Sequence, residues 1–267
     1  MDKGISSDTM TIADERALKS FLDEKILLYN RPEFIVGDPI CIPHRFQKKQ
    51  DIEIAGFFAA TLAWGNRTSI INSCSRLLTW MDNAPHDFII NHQPENLKVM
   101  VGFAHRTFNA TDLLYFIDVL QRHYQQHESL ETAFFPSGNA SQNSVEGGLL
   151  HFHNHFFGGE HPQRTRKHVS TPARGSACKR LCMYLRWMVR KDDAGVDFGT
   201  WENLNPAQLI CPLDVHVARV SSRLGLISKD KADWRNALEL TKLLSRWRPE
   251  DPAVYDFALF GMGVAGE

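Results

Sequence analysis

Two residues of the chain, Lys179 and Asp214, are of the types that form and stabilise a covalent intermediate. Lys179 is the fourth residue after Gly175 and falls in the first turn of a predicted helix. There the positive end of the helix dipole and the charges of Arg174 and Arg180 favour the neutral amine. A neutral lysine can attack a carbon electrophile. A solvated surface lysine without a chemical role is the alternative interpretation.

Asp214 stands just before an apolar-periodic segment, so it is predicted to cap the helix that follows. Capping alone explains an aspartate at this position. A carboxylate there can also stabilise developing positive charge or take a proton from a nucleophile. The two roles are compatible, and the local pattern leaves both open.

Positive charge is concentrated around Lys179. From His161 to Lys191 there are nine Lys or Arg and no Asp or Glu, although the whole chain has a net charge of -1. Such a segment attracts polyphosphate of any sequence, because each phosphate contact releases counterions. Lys179, Arg186 and Arg190 fall on one side of the predicted helix, so we expect their charges to face outward together.

The elements that must position these residues are helices. Apolar residues recur at helical spacing over about 14–29, 110–127, 176–189, 213–224, 232–247 and 252–260. Two more helices, over about 52–64 and 68–81, are joined by a short turn at Gly65. No convincing strand alternation, internal repeat or low-complexity tract is found. The fold is therefore predicted to be all-α.

The bulk composition is that of an ordinary globular protein, with 267 residues, 43% hydrophobic and 23% charged. The amino-terminal residues do not resemble a secretory leader, and no run of about 18 apolar residues occurs. Five cysteines without a Cys-x-x-Cys pair indicate neither a disulfide framework nor a zinc knuckle. We expect a cytoplasmic monomer with no membrane partner.

The segments around the two candidate residues resemble the helix-hairpin-helix DNA glycosylase superfamily, which includes endonuclease III and the 8-oxoguanine DNA glycosylases. The resemblance rests on Gly175-Ser176-Ala177-Cys178-Lys179, an apolar helix and Leu213-Asp214-Val215-His216. It implies that Lys179 is the amine nucleophile and Asp214 the essential carboxylate. The whole chain resembles most closely a bacterial family described only as a domain of unknown function.

The same resemblance implies a two-lobed helical fold. One lobe would combine about 1–48 with about 226–267, and a central lobe of about 50–225 would carry the hairpin near 165–191. DNA contacts are implied for Arg174, Gly175, Ser176, Arg180, Arg186 and His216. Substrate contacts are implied for Trp64, for Asn66, which would fill the gap left by the base, and for Asp256 and Phe260, which would line the base pocket.

The implied cofactor set is small. The carboxyl-terminal four-cysteine motif of endonuclease III is absent, so no iron-sulfur cluster is expected. No metal ligand set is predicted, and the family pattern allows a monovalent cation at the hairpin. The implied partner is double-stranded DNA that carries a lesion, such as an oxidised purine if Asp256 accepts a hydrogen bond from the base.

The chain departs from the family pattern at two places. Ala177 replaces the second hairpin glycine, and Ala173-Arg174 replaces the usual Leu-Pro. Lys179 and Asp214 are 35 positions apart, which exceeds the usual separation, with 192–210 as the apparent insertion.

Two hypotheses stand beside a DNA glycosylase with AP lyase activity. The degenerate hairpin favours a non-catalytic reader of duplex DNA or structured RNA on the same fold. A third hypothesis is a metal hydrolase that uses His151, His153 and His155, which would share one face on a strand and splay apart on a helix.

Overall fold

The computed structural model of the protein describes residues 12–136, 138–141 and 143–265. These residues form the helices α1 Ile12–Tyr29, α2 Glu33–Val36, α3 Lys49–Leu62, α4 Arg67–Trp80, α5 Pro85–Asn91, α6 Ala110–Tyr124, α7 Glu131–Phe134, α8 Val145–Phe156, α9 Lys179–Val189, α10 Val215–Arg223, α11 Trp234–Trp247 and α12 Tyr255–Ala265. Short 3₁₀ helices lie at Pro39–Cys41, Pro43–Arg45, Pro94–Gly102, Gln163–His168, Pro172–Arg174, Pro206–Gln208 and Pro252–Val254.

One small antiparallel ribbon interrupts the helices. Its strands, β1 Ala104–His105 and β2 Phe108–Asn109, are joined by a two-residue turn in which Arg106 adopts a φ of 55°. The all-α prediction is confirmed, since this ribbon is the whole of the sheet structure among the described residues. Over the same residues, no helix has both the length and the apolar character that crossing a bilayer requires.

Helix α9 lies at the centre of the fold. All its residues from Leu181 to Val189 are buried, and it packs against α3, which is buried from Ile52 to Leu62. A helix enclosed on every side has no solvent face on which charges can lie. The expectation that Arg186 and Arg190 face outward is therefore wrong: they are 3% and 2% exposed.

Buried acids explain how two arginines can occupy the interior. Arg186 pairs with Asp197 and Asp256, and Arg190 pairs with Asp197 at 3.1 Å and with Asp251 at 2.9 Å. Burial of an ion is tolerated only when counterions and hydrogen bonds replace its hydration. Asp197 belongs to the segment 192–210, so the apparent insertion supplies a counterion shared by both arginines.

The two ends of the described chain pack together. Helix α12 contacts both α1 and α10. The α1 contact requires a glycine, because a Cβ at Gly261 would lie 2.3 Å from Tyr29 Cδ2. This packing brings Phe260 of α12 close to the start of α10. The division of the chain into two lobes stays a prediction.

Candidate active site

Lys179 is placed by a tight hairpin that precedes α9. Gly175 has a φ of 71° and Cys178 a φ of 49°, both in the left-handed region. Glycine adopts this conformation freely, whereas a cysteine is held in it at a cost of about 1–2 kcal/mol. The backbone N–H of Trp234 donates to Gly175 O at 3.0 Å and ties the hairpin to the start of α11. The hairpin therefore fixes the backbone of Lys179, the first residue of α9.

The two carboxylate oxygens of Asp214 make different contacts. Its Oδ1 accepts hydrogen bonds from the backbone N–H groups of His216 and Val217, each at 2.9 Å, which confirms the predicted helix cap. Its Oδ2 lies 3.8 Å from Lys179 Nζ. The side chains of Lys179 and Asp214 are 19% and 23% exposed. Both are therefore mostly buried, but a ligand can still reach them.

A cavity of about 640 Å³ opens where these two side chains meet. Its volume falls within the usual range for small-molecule sites. The lining residues come from five separate parts of the chain: Asp38, Pro39, Ala63, Trp64, Gly65, Arg67, Ile70, Lys179, Arg180, Met183, Asp214, Val215, His216, Phe260 and Val264. A ligand in this cavity would contact the amine and the carboxylate together.

Phe260 forms an aromatic wall of the cavity, and two cations lie near its ring. Lys179 Nζ lies 5.2 Å and the Arg67 guanidinium carbon 5.3 Å from the centre of its ring. Such contacts hold a cation against the negative face of the ring. The prediction that Phe260 lines the site with Lys179 agrees with this geometry, whereas Arg67 was not predicted. The signal available for Arg67 was its position directly after Asn66, at the start of α4.

A second, small pocket of about 10 Å³ is bordered by Asp38, Asp256 and Phe260. Asp256 is 4% exposed, and one of its oxygens accepts from Arg186. Burial raises the pKa of Asp256 to about 6, and the positive charges of Arg186 and Lys179 oppose this rise. Asp256 does not line the main cavity, and it is the partner of the buried Arg186. Its predicted contact with a base stays a prediction.

Asp38 is the functional candidate that the sequence did not reveal. It is 5% exposed, and its Oδ1 accepts from the backbone N–H of Ile40 at 3.0 Å. Burial raises the pKa of Asp38, although Arg186, Lys179 and Arg67 lower it in part. The pair Asp38-Pro39 is typical of a helix start, but nothing in its spacing connects it with Lys179.

The turn between α3 and α4 reaches the rim of the cavity. Trp64 lines the cavity, with the Arg106 guanidinium 5.1 Å from the centre of its ring. Asn66 is exposed and caps α4 by accepting from the backbone N–H of Ser69 at 3.2 Å. Its role as the residue that fills a gap in the duplex stays a prediction.

The residues predicted to contact DNA divide into two groups. Arg174, Gly175 and His216 are exposed, and Ser176 is half-buried beside them. Arg180 instead donates to the carbonyl oxygens of Thr61 and His168, and burial lowers its pKa.

The prediction of a DNA contact for Arg186 is wrong. Its guanidinium is enclosed and bound to Asp197 and Asp256, so it cannot reach a phosphate without leaving the buried carboxylate of Asp256 without its arginine partner.

The three histidines considered for a metal site do not share one face of α8. His151 and His155 lie on the same side, with ring centres 6.3 Å apart, whereas His153 packs against Phe157. His151 bonds to Ala133 O at 2.8 Å, and His155 lies 3.2 Å from His123. Within the described residues no group of three or more His, Cys, Asp or Glu is arranged to hold a metal. At the hairpin, the carbonyl oxygens of Gly175 and Ser176 accept from Trp234 N and Cys178 Sγ. A monovalent cation at the hairpin stays a prediction.

The chain belongs to the family described as "Protein of unknown function (DUF2400)", whose model matches residues 38–265. The matched region contains every residue that lines the cavity. A search of curated proteins and a search of solved structures each found no match. The family description names no activity, so the chemistry must be argued from the cavity.

Proposed function

We propose that the protein is a cytoplasmic DNA repair glycosylase with AP lyase activity, which removes a damaged base from double-stranded DNA. One observation carries the proposal. Lys179 and Asp214 are 35 positions apart in the chain, yet their Nζ and Oδ2 atoms lie 3.8 Å apart at one cavity of about 640 Å³. A nucleophile, a carboxylate and an aromatic wall in one cavity suit a base rotated out of the duplex.

The reaction would begin with attack of the neutral Lys179 amine on C1′ of the damaged nucleotide. The C1′–N bond breaks, its electron pair leaves with the base, and the base takes up a proton. Before the bond has fully broken, the carboxylate of Asp214 stabilises the positive charge that develops at the sugar. The attacking nitrogen then loses a proton to Asp214 Oδ2, and Asp214 gives this proton to O4′ as the C1′–O4′ bond breaks and the sugar ring opens to a protonated Schiff base at C1′. Loss of a C2′ proton expels the 3′ phosphate.

Exposed cations of the chain support binding to DNA. Lys167, Arg174 and Lys191 are exposed cations of the basic segment, and His216 is exposed at the cavity. Contacts between such cations and phosphates bind DNA of any sequence and weaken with salt. Arg180 and Arg186 are bound to groups inside the protein. Fewer cations can therefore contact phosphates than the number of basic residues suggests.

Borohydride trapping on DNA with an abasic site or a single lesion tests the proposal. Hydride adds to the Schiff base and leaves a stable amine, so the wild-type protein should become covalently joined to DNA. Lys179→Gln should lose trapping, while Lys167→Gln, which removes an exposed lysine of the same segment, should keep it. Asp214→Asn retains a capping oxygen and should slow base release on the order of 10²- to 10⁴-fold.

Two results would contradict the proposal. Trapping by Lys179→Gln would remove the nucleophile from the mechanism. Salt-dependent binding by the wild type, with no base release and no trapping over oxidised, deaminated and alkylated lesions, would favour the non-catalytic reader.

A further inference from the structure

Helices α6 and α8 each place a histidine at a separate cavity. His123 lies in the last turn of α6, and His155 lies in the last turn of α8. Both line a cavity of about 350 Å³, which shares none of its lining residues with the cavity at Lys179. The last turn of a helix carries the negative end of the helix dipole, so both helix ends favour a cation at this point.

A hydrogen bond to the backbone fixes the proton of His123. Its Nε2 lies 3.0 Å from the carbonyl oxygen of Ser129, which can only accept, so Nε2 carries the proton and donates it. Because burial lowers the pKa of His123 to about 4, this imidazole is neutral at pH 7. Its Nδ1 therefore presents a lone pair to His155. A histidine whose other nitrogen donates to a backbone carbonyl is already oriented as a metal ligand.

The separation of the two facing nitrogens suits a shared metal ion. Zinc binds imidazole nitrogens at about 2.0–2.1 Å in a tetrahedral arrangement, which places two such nitrogens roughly 3.3 Å apart. His123 Nδ1 and His155 Nε2 lie 3.2 Å apart, in agreement with this value. Burial is the main cause that lowers the pKa of His155, so this imidazole is also neutral at pH 7. Its proton can occupy Nδ1, which leaves the Nε2 lone pair for the ion.

The rest of the cavity favours one kind of ion. No carboxylate of the described residues lines it, so it lacks the ligands by which proteins usually bind Ca²⁺ or Mg²⁺. Imidazole nitrogen suits zinc, copper and nickel instead. Arg122 lines the cavity, but Asp118 pairs with it at 3.0 Å and reduces its repulsion of a cation.

We propose that His123 and His155 form a two-histidine site for a divalent transition metal ion such as Zn²⁺, with the remaining ligand positions directed into the cavity. The ion would take the place of the direct contact between the two rings and join the end of α6 to the end of α8. The histidine pattern of α8 alone did not predict this pair, because His123 comes from another helix. The site is independent of the proposed function, since neither histidine lines the cavity at Lys179.

Calorimetric titration of Zn²⁺ into the full chain, prepared without an affinity tag, tests the site. The wild type should bind one ion at its tightest site, and His155→Gln should weaken that binding by about tenfold or more. His155 is the better position to replace because it is exposed, whereas His123 is buried. Mg²⁺ in place of Zn²⁺ should give no comparable binding, since the cavity has no carboxylate among the described residues.

His153→Gln is the matched control on the same helix. His153 is two positions from His155, but it packs against Phe157 and does not line the cavity. This variant should bind Zn²⁺ within about threefold of the wild-type affinity, on the scale of a neutral substitution. A second readout is thermal unfolding: an ion that joins α6 to α8 binds only the folded chain, so Zn²⁺ should raise the melting temperature of the wild type and of His153→Gln but not that of His155→Gln.

Three results would overturn the two-histidine site. The first is Zn²⁺ binding by His155→Gln with the affinity of the wild type, which would place the ion on other surface histidines. The second is an equal loss of binding in His153→Gln and His155→Gln. The third is a wild-type melting temperature that Zn²⁺ does not raise. Borohydride trapping through Lys179 is measured separately, so the failure of either proposal leaves the other standing.

Discussion

Replacing Arg186 by Met removes a buried cation of α9 that pairs with Asp197 and Asp256. The arginine is 3% exposed, bonds to Asp197 and Asp256, and lies 4.2 Å from the centre of the Phe257 ring. Methionine preserves much of the side-chain length and its packing on Phe257. The substitution therefore isolates the loss of charge from the loss of volume.

The expected cost is large because two carboxyl groups lose their shared partner. Removing one member of a buried ion pair costs about 3–5 kcal/mol, against a total stability of about 5–15 kcal/mol for a typical domain. Asp197 keeps Arg190 as a second partner at 3.1 Å, so most of the cost falls on Asp256. Asp256→Asn in the Arg186→Met background should recover part of the loss, because it removes the unpaired charge.

Urea unfolding followed by circular dichroism measures these free energies of unfolding. An equal slope of free energy against urea concentration in each variant shows that their folded and unfolded states are comparable. Arg174→Met is the matched control, since Arg174 is exposed and its replacement should change stability by less than about 0.5 kcal/mol. A cost below about 1 kcal/mol for Arg186→Met, together with a weaker salt dependence of DNA binding, would refute the buried assignment. That result would restore Arg186 as a phosphate contact.

Three further perturbations follow from local contacts. Asp214→Ala removes the cap of α10 and should lower the free energy of unfolding by about 1 kcal/mol, whereas Asp214→Asn should cost less than about 0.5; equal costs would contradict the capping role. Gly261→Ala forces a methyl group to within 2.3 Å of Tyr29 and should cost about 1–3 kcal/mol in thermal unfolding; an unchanged melting temperature would exclude this close packing. Burial lowers the pKa of His123 to about 4, so as pH falls from 6.5 towards 4 the unfolded chain takes up a proton before the folded chain does. Stability should fall over this window by up to about 3 kcal/mol, and His123→Gln should flatten that part of the unfolding profile; an unchanged slope would count against the buried neutral imidazole.

Local signals predicted the parts of the fold that depend on neighbours in the sequence. Apolar periodicity located most of the long helices, because the face that packs on the core repeats every 3.6 residues. Asp214 was identified as a cap from the residues that follow it, and the observed hydrogen bonds to His216 and Val217 lie within three positions. Helices such as α5 and the 3₁₀ segment Pro94–Gly102 were missed, since short helices have too few turns to show a period.

The sequence by itself determined the helical character of the protein, the two helix starts that carry Lys179 and Asp214, and the local charge of the segment between them. Tertiary structure decided which of those charges meet solvent: Arg186 is buried because Asp197 and Asp256, from other parts of the chain, surround it. It also brought Asp38 to the same cavity as Lys179. Which residues come together in this way depends on how the helices pack. A single sequence shows which faces are apolar but not which helices pack against each other.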